Sequence, residues 1–224
     1  MKQKAGLEYA SAFFSKDNSE NYDHLVHYAT FGMDSRWKKK ILENVESDSI
    51  VLELACGTGI LSAILSQAGN TVLGLDYTFS YLKVLKQKGI KIPVVNSTAE
   101  LIPFRSTMFD YIITSYLPKY TTLDILINEC FRLLKSGGMI ILHDFTFPKY
   151  RLYKVAWEGY FKIISLLWRK DKRWKYVFDE LDVLIRSSQW DLNVFEELEK
   201  LKFSQIHKRY LTFQTSAIIT AIKP

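Results

Sequence analysis

The run VLELACGTG at residues 51–59 places an acidic side chain, Glu53, inside an apolar stretch that ends in two glycines, Gly57 and Gly59. Glycines there make a tight turn and let a ligand come close to the backbone. About 20 residues further on, Asp76 closes the next apolar run, where a carboxylate can accept hydrogen bonds from both hydroxyls of a ribose. The third glycine of a dinucleotide-binding turn is missing, and Ser62 holds its place. A dehydrogenase uses the same pairing of glycine turn and carboxylate, so Glu53 is the discriminating residue. It repels a pyrophosphate but suits, directly or through water, the ammonium group of an amino-acid-bearing nucleoside. S-adenosylmethionine is such a ligand.

These residues need a frame that brings the ends of several strands together. From residue 50 the chain alternates strand-like and helical runs. Strands are expected at Ile50 to Ala55, Thr71 to Asp76, Ile92 to Asn96, Tyr111 to Ser115 and Met139 to Asp144. Helices are expected at Ile60 to Gln67, Ser80 to Lys88 and Leu123 to Leu134, the last stopped by Lys135-Ser136-Gly137-Gly138. Regular interleaving predicts a mostly parallel sheet covered on both faces, with its ligand beyond the carboxyl ends of the strands. Leu201 to Phe213 and Ser216 to Ile222 read as closing antiparallel strands, and residues 1–49 and 145–200 as largely helical flanks over the carboxyl edge. The expected organisation is therefore one domain: an entrance segment 1–49, a core 50–144, a helical cap insertion 145–200 and closing strands 201–224.

An acidic residue, then G-x-G, then an acidic residue ending the second strand resembles the class I S-adenosylmethionine-dependent methyltransferases. Ser97-Thr98-Ala99-Glu100-Leu101-Ile102-Pro103-Phe104 resembles that family's G-D-A-E-x-L-P-F segment, with Thr98 where the family has an aspartate that contacts adenine. More specifically, Tyr22-Asp23, Phe31-Gly32 and Trp37-Lys38 resemble the Y-D…F-G…W-K entrance of the ubiquinone/menaquinone biosynthesis C-methyltransferases. Asp144-Phe145-Thr146-Phe147-Pro148 is similar to their E-F-S-K-P. After the fourth strand the chain departs. Ser115-Tyr116-Leu117-Pro118-Lys119-Tyr120 lacks the arginine–asparagine pair of the family's S-F-G-L-R-N-V.

The resemblance implies a Rossmann-like class I fold: a three-layer sandwich with a mostly parallel seven-stranded sheet and a helical cap. It implies S-adenosylmethionine as cofactor, bound by Tyr22, Glu53, Ala55, Gly57, Thr58, Gly59, Asp76, Tyr77, Thr98, Ala99, Glu100 and Ser115. It also implies carbon methylation of an isoprenoid quinol precursor such as demethylmenaquinol. An O- or N-methyltransferase of the same fold is the alternative, and a non-catalytic cofactor- or RNA-binding protein is the rival of another class.

Methyl transfer from a sulfonium is an in-line displacement whose barrier falls through positioning and exclusion of water. It needs no metal, and His24, His27, His143 and His207 form no metal-ligand motif. Carbon methylation of a hydroquinone requires a base that removes or polarises a phenolic proton. Asp144 and its neighbour His143 are the candidates. Alternation along the strand points them to opposite faces, so at most one serves. The ordinary alternative for Asp144 is local capping or pairing. Lys119 is a candidate to stabilise a phenolate, against the commoner fate of a solvated loop lysine. Tyr22, also a catalytic candidate, and Asp23 are expected to close over the cofactor, and Cys56 to be a small packed residue.

Composition sets outer bounds. At 48% hydrophobic over 224 residues the chain can bury a substantial core, and two cysteines are too few for a disulfide framework, so a reducing cytoplasmic interior is expected. A net charge of +6 is compatible with an anionic membrane surface or a nucleic acid, although solvated lysines explain it as well. Residues 150–168 read as one helix with Leu152, Val155, Ala156, Ile163, Leu166 and Leu167 on one face. Tyr153, Trp157, Phe161, Ile164 and Trp168 widen the apolar arc. The aliphatic side is expected to pack on the body, leaving the aromatic side for an apolar substrate channel or a membrane interface beside the basic run at residues 169–175.

Overall fold

The computed structural model describes residues 10, 13–16, 18–167 and 172–224. Two short helices, α1 (Tyr22–Ala29) and α2 (Met33–Leu42), lead into the sheet. The alternating core follows: β1 (Ile50–Leu54), α3 (Ile60–Gln67), β2 (Thr71–Asp76), α4 (Phe79–Gln87), β3 (Val94–Asn96), β4 (Phe109–Ser115), α5 (Leu123–Leu133) and β5 (Leu134–Phe145). The cap helices are α6 (Arg151–Leu167) and α7 (Lys172–Ser188); α8 (Trp190–Lys200), expected in the cap, packs on the sheet because Trp190, Val194 and Leu198 bury against its core, and β6 (Ser204–Leu211) and β7 (Ser216–Ile222) close the chain.

The strands form one seven-stranded sheet in the order β3-β2-β1-β4-β5-β7-β6. β1 to β5 pair in parallel, and β7 runs antiparallel to both β5 and β6. Val51, Leu52, Ile112, Ile113, Ile140 and Ile141 are buried on both faces, which is why these strands read as continuous apolar runs. On one face they pack against Ile41, Leu61, Leu65, Leu82 and Leu85 of α2, α3 and α4. On the other they meet Leu126, Ile127, Leu133, Trp190, Val194 and Leu198 of α5 and α8. Connections leave β1 towards β2 and β3, then return to β4, so the crevice opens where β1 and β4 diverge.

Of the boundaries that differ from those expected, three have a clear physical reason. β1 stops at Leu54 because Ala55 turns into the left-handed region (φ 55°). β3 starts at Val94 because Pro93 has no N–H to donate, and only its carbonyl accepts from Gly74, at 2.9 Å. Residues 135–138 form no helix-stopping loop. They enter β5 through an irregular register in which Phe109 faces Leu134 but Tyr111 faces Met139.

The cap reverses the expected polarity of α6. Its aromatic side is the buried one: Trp157, Phe161 and Ile164 pack with Phe178 and Ile185 of α7. Trp157 Nε1 donates to Asp182 (2.6 Å), and the Tyr160 hydroxyl donates to the Ala29 carbonyl of α1 (2.5 Å). The aliphatic side is left outside, with Leu152, Val155, Ile163, Leu166 and Leu167 between 61% and 75% exposed. Indole and phenol groups bring a hydrogen-bonding handle as well as apolar area, so they anchor a helix on partners that offer acceptors. Trp168 and residues 169–171 of the basic run lie outside the described residues.

Candidate active site

The carboxyl ends of β1, β2 and β4 surround an open cavity of about 990 Å³. Every residue expected to bind the cofactor lines it except Gly59. Gly57, at φ 55°, faces the cavity, and a Cβ there would meet nothing nearer than Tyr81, at 3.7 Å. Gly59, at φ 82°, faces inward: a Cβ there would lie 2.8 Å from both Leu85 Cγ and Ile90 Cδ1. Its role is to let α3 start close against α4, not to admit the ligand. Cys56 is buried under the sheet's Gly74, as a packed residue should be.

Asp76 sits at the tip of β2 with both carboxylate oxygens engaged. Gly57 N–H donates to Oδ2 (2.8 Å) and Thr78 N–H to Oδ1 (2.7 Å). Asp76 lines the cavity, and a carboxylate can accept more hydrogen bonds than these two, as a vicinal diol needs. Burial raises its carboxyl to about 6 in spite of those bonds. Tyr77, Thr98, Ala99 and Glu100 line the same end. Above the glycine turn, Thr58 Oγ1 donates to Asp23 (2.5 Å) and Lys88 pairs with the same carboxylate, which pins α1 over the cavity. Tyr22 then stands edge-on to Phe14 and Tyr81, with centroids 5.9 and 5.1 Å away.

At the other end, Glu53 is 2% exposed and accepts a hydrogen bond from Ser62. Burial pushes its carboxyl up to about 8. Below its ordinary value of 4.5 the carboxyl is protonated in both folded and unfolded chains. Between 4.5 and about 8 the folded protein holds a proton that the unfolded chain has released, so stability is lost as pH rises through that window. A ligand ammonium beside Glu53 favours the ionised form and offsets the loss. Glu53→Gln is therefore expected to flatten the decline in melting temperature between pH 5.5 and 8.5 while weakening S-adenosylmethionine binding about tenfold or more. Thermal unfolding with calorimetry checks both, and an unchanged pH slope would remove Glu53 as its source.

The proposed catalytic residues separate into two kinds of position. His143 and Asp144 have no accessible surface, and neither lines this cavity or the smaller one beside it. Ser216 Oγ donates to the Asp144 carbonyl (3.0 Å), so it accepts from His143 Nε2–H (2.8 Å). His143 Nδ1 is left to accept from the Ser115 hydroxyl, at 2.8 Å. Burial drives the imidazole towards its neutral form, and both nitrogens are occupied. The Asp144 carboxylate accepts Lys119 Nζ (2.6 Å) and Phe145 N–H (2.7 Å) on Oδ1, and Lys119 N–H (3.1 Å) on Oδ2. Burial raises Asp144 and lowers Lys119, each opposed by the attraction between them.

Lys119 is thus no solvated loop lysine. It is 5% exposed, and its ammonium lies 4.3 Å from the Tyr120 ring centroid and 5.5 Å from that of Tyr116. It lines a second cavity of about 570 Å³, which shares Phe14, Tyr22, Tyr116 and Tyr120 with the first. The remaining walls are Phe13, Leu25, Val26, Ala29, Thr30, Phe145, Phe178 and Leu181, so Lys119 is the one charged group among the described residues around it. Tyr116 stands between the two chambers, held by a left-handed backbone (φ 70°) and by its hydroxyl, which donates to Asp34 (2.6 Å). A strained residue directly after β4 is the sort of feature found at functional sites. The aromatic wall of Phe14, Tyr81, Tyr116 and Tyr120 escaped the sequence reading, because tyrosines after strands look the same as packing residues.

The model of the ubiE/COQ5 methyltransferase family matches residues 2–223. The chain belongs to that family. This ubiE/COQ5 methyltransferase uses S-adenosylmethionine, which excludes the dehydrogenase and non-catalytic readings. It is 30% identical over 164 residues to a demethylmenaquinone methyltransferase of Staphylococcus epidermidis, covering 68% of this chain and 67% of that one. Its fold is similar to that of a Methanococcus maripaludis protein described as an S-adenosylmethionine-dependent methyltransferase (TM-score 0.69, 16% identity, 94% of each chain). It is also similar to geranyl diphosphate C-methyltransferase from Streptomyces coelicolor (TM-score 0.60, 13% identity, 85% of this chain and 79% of that one). The first cavity fits the cofactor: a carboxylate at the tip of β2, a glycine at its wall where a Cβ would make no close contact, and an acid at β1.

Proposed function

We propose that this methyltransferase transfers the methyl group to a ring carbon of a demethylmenaquinol-like isoprenoid quinol, drawn from a membrane surface in the cytoplasm. The observation that carries the reading is the second cavity: apolar, walled by aromatic rings, adjoining the cofactor chamber and containing one cation. A flat lipophilic ring suits those walls. Bound S-adenosylmethionine supplies an electrophilic methyl on a sulfonium. Lys119, held in place by Asp144, favours a phenolate over a phenol in a cavity where no other cation stands among the described residues. The phenolate pushes electron density onto the adjacent ring carbon, the atom that must act as nucleophile. Asp144 acts through Lys119, and His143 holds the Ser115 hydroxyl, so Lys119 takes the place of the family's arginine–asparagine pair as the cation beside the acceptor.

The membrane part of the reading is supported by the exposed aliphatic stripe of α6, flanked by Arg151, Lys154 and Lys162. No helix among the described residues is long and apolar enough to cross a membrane, so contact would be made from the surface. The test presents demethylmenaquinol in anionic vesicles with S-adenosylmethionine. The expected result is protein that sediments with the vesicles and a product whose added methyl is on a ring carbon, formed only while a reductant keeps the acceptor as quinol. A methyl found only on oxygen would overturn the carbon assignment, and protein left wholly in the supernatant would overturn the membrane one.

A further inference from the structure

Lys38 carries a function that neither the entrance motif nor the glycine turn assigns. It lies on α2, is 4% exposed, and is the one lysine or arginine among the described residues that line the cofactor cavity. Asp34, one helical turn before it, pairs with its ammonium, and the same carboxylate oxygen accepts from the Tyr116 hydroxyl. The ammonium lies 5.1 Å from the Tyr116 ring centroid and is close enough to Glu53 and His143 to act on their ionisation. An ammonium has three protons to donate. Asp34 takes one, and Lys38 makes no second hydrogen bond among the described residues.

Sheet order fixes which part of the ligand faces this group. The carboxylate for the ribose is on β2 and the Thr98 segment follows β3, so the nucleoside occupies the β3-β2 side of the crevice. The amino-acid part then crosses β1 towards β4, where Glu53, Ser115 and Lys38 are. That part is a zwitterion. Glu53 is the partner for its ammonium, but among the described residues Glu53, Asp76, Glu100 and the cavity's hydroxyls leave its carboxylate with no cation other than Lys38.

We propose that Lys38 receives the carboxylate of the cofactor's methionine moiety, with Asp34 and the Tyr116 ring holding the ammonium in place. This rests on the assignment of the first cavity to S-adenosylmethionine, and the test separates the two. Decarboxylated S-adenosylmethionine keeps the nucleoside, sulfonium and ammonium and lacks only the group in question. Calorimetry compares the two ligands on the whole protein as wild type, Lys38→Met and Lys38→Arg. Wild type is expected to bind S-adenosylmethionine about 10- to 100-fold more tightly than the decarboxylated form. Lys38→Met should bind both alike, at the affinity wild type shows for the decarboxylated form, and Lys38→Arg should restore most of the preference. Equal weakening of both ligands in Lys38→Met would make Lys38 a merely structural residue and overturn the proposal. So would a wild type that does not discriminate between the ligands. Wild type that binds neither ligand would bring down the cavity assignment itself, and this proposal with it.

Discussion

Lys119→Met is expected to reduce turnover of a quinol acceptor by about two to four orders of magnitude while leaving S-adenosylmethionine affinity within about threefold. Methionine retains length and apolar volume, so the second cavity keeps its shape, but the one charge that favours a phenolate is gone. Lys119 lines that cavity and not the cofactor chamber, which is why binding and chemistry should separate. The loss belongs in kcat, because the phenolate charge develops on the way to the transition state.

The cost to folding decides how the partner behaves. Removing Lys119 leaves Asp144 buried with two backbone N–H groups still donating to it, and burial already raises its carboxyl, so it can take up a proton. Asp144→Asn strands an ammonium in a fully enclosed site, where an uncompensated charge costs about 3–5 kcal/mol. Asp144→Asn should therefore melt earlier than Lys119→Met, although both lose activity. Steady-state kinetics, calorimetry and thermal unfolding on the two variants distinguish these effects. Full turnover in well-folded Lys119→Met would remove the lysine from the chemistry and return attention to Tyr22, which faces the same cavity.

What was legible in the sequence follows from where physics is local. Strands covered on both faces must be apolar throughout, so Ile50–Leu54 and Phe109–Ser115 announce themselves, and residues at their carboxyl ends face the cavity by the geometry of the sheet. Glu53, Gly57, Asp76 and Ser115 were readable for that reason. Side-chain direction was less so. The α6 periodicity shows two apolar sides, and only tertiary partners such as Asp182 and the Ala29 carbonyl select the aromatic one. The burial of Lys119 depends on Asp144, 25 positions away, and no local pattern pairs them. Lys38 sits in a run of three lysines that reads as a solvated face. In the sequence it stands out only in the Trp37-Lys38 match to the entrance motif, and its burial follows from the ion pair with Asp34 one turn earlier.

The same distinction separates the two glycines of the turn, and it gives the largest expected effect on folding. Gly59→Val should destabilise the protein by about 2–6 kcal/mol, a large share of the roughly 5–15 kcal/mol that holds a domain folded. One contribution is a β-branched residue held at positive φ, and another is overpacking against Leu85 and Ile90, at about 1–3 kcal/mol each. Leu85, met at its Cγ, is fully buried between α3 and α4 and cannot swing aside without disturbing that layer, whereas half-buried Ile90 is met at its terminal Cδ1. Gly57→Ala meets no such wall. It should cost about 1–2 kcal/mol from its backbone conformation alone. Asp76→Ala provides the opposite signature: a folded protein that binds S-adenosylmethionine about 10- to 100-fold less tightly, since the ribose loses charge-assisted hydrogen bonds. Urea unfolding and calorimetry on the three variants give the comparison. A Gly59→Val protein as stable as wild type that fails only in cofactor binding would mean that Gly59 faces the ligand after all, and would contradict the packing of α3 on α4 described above.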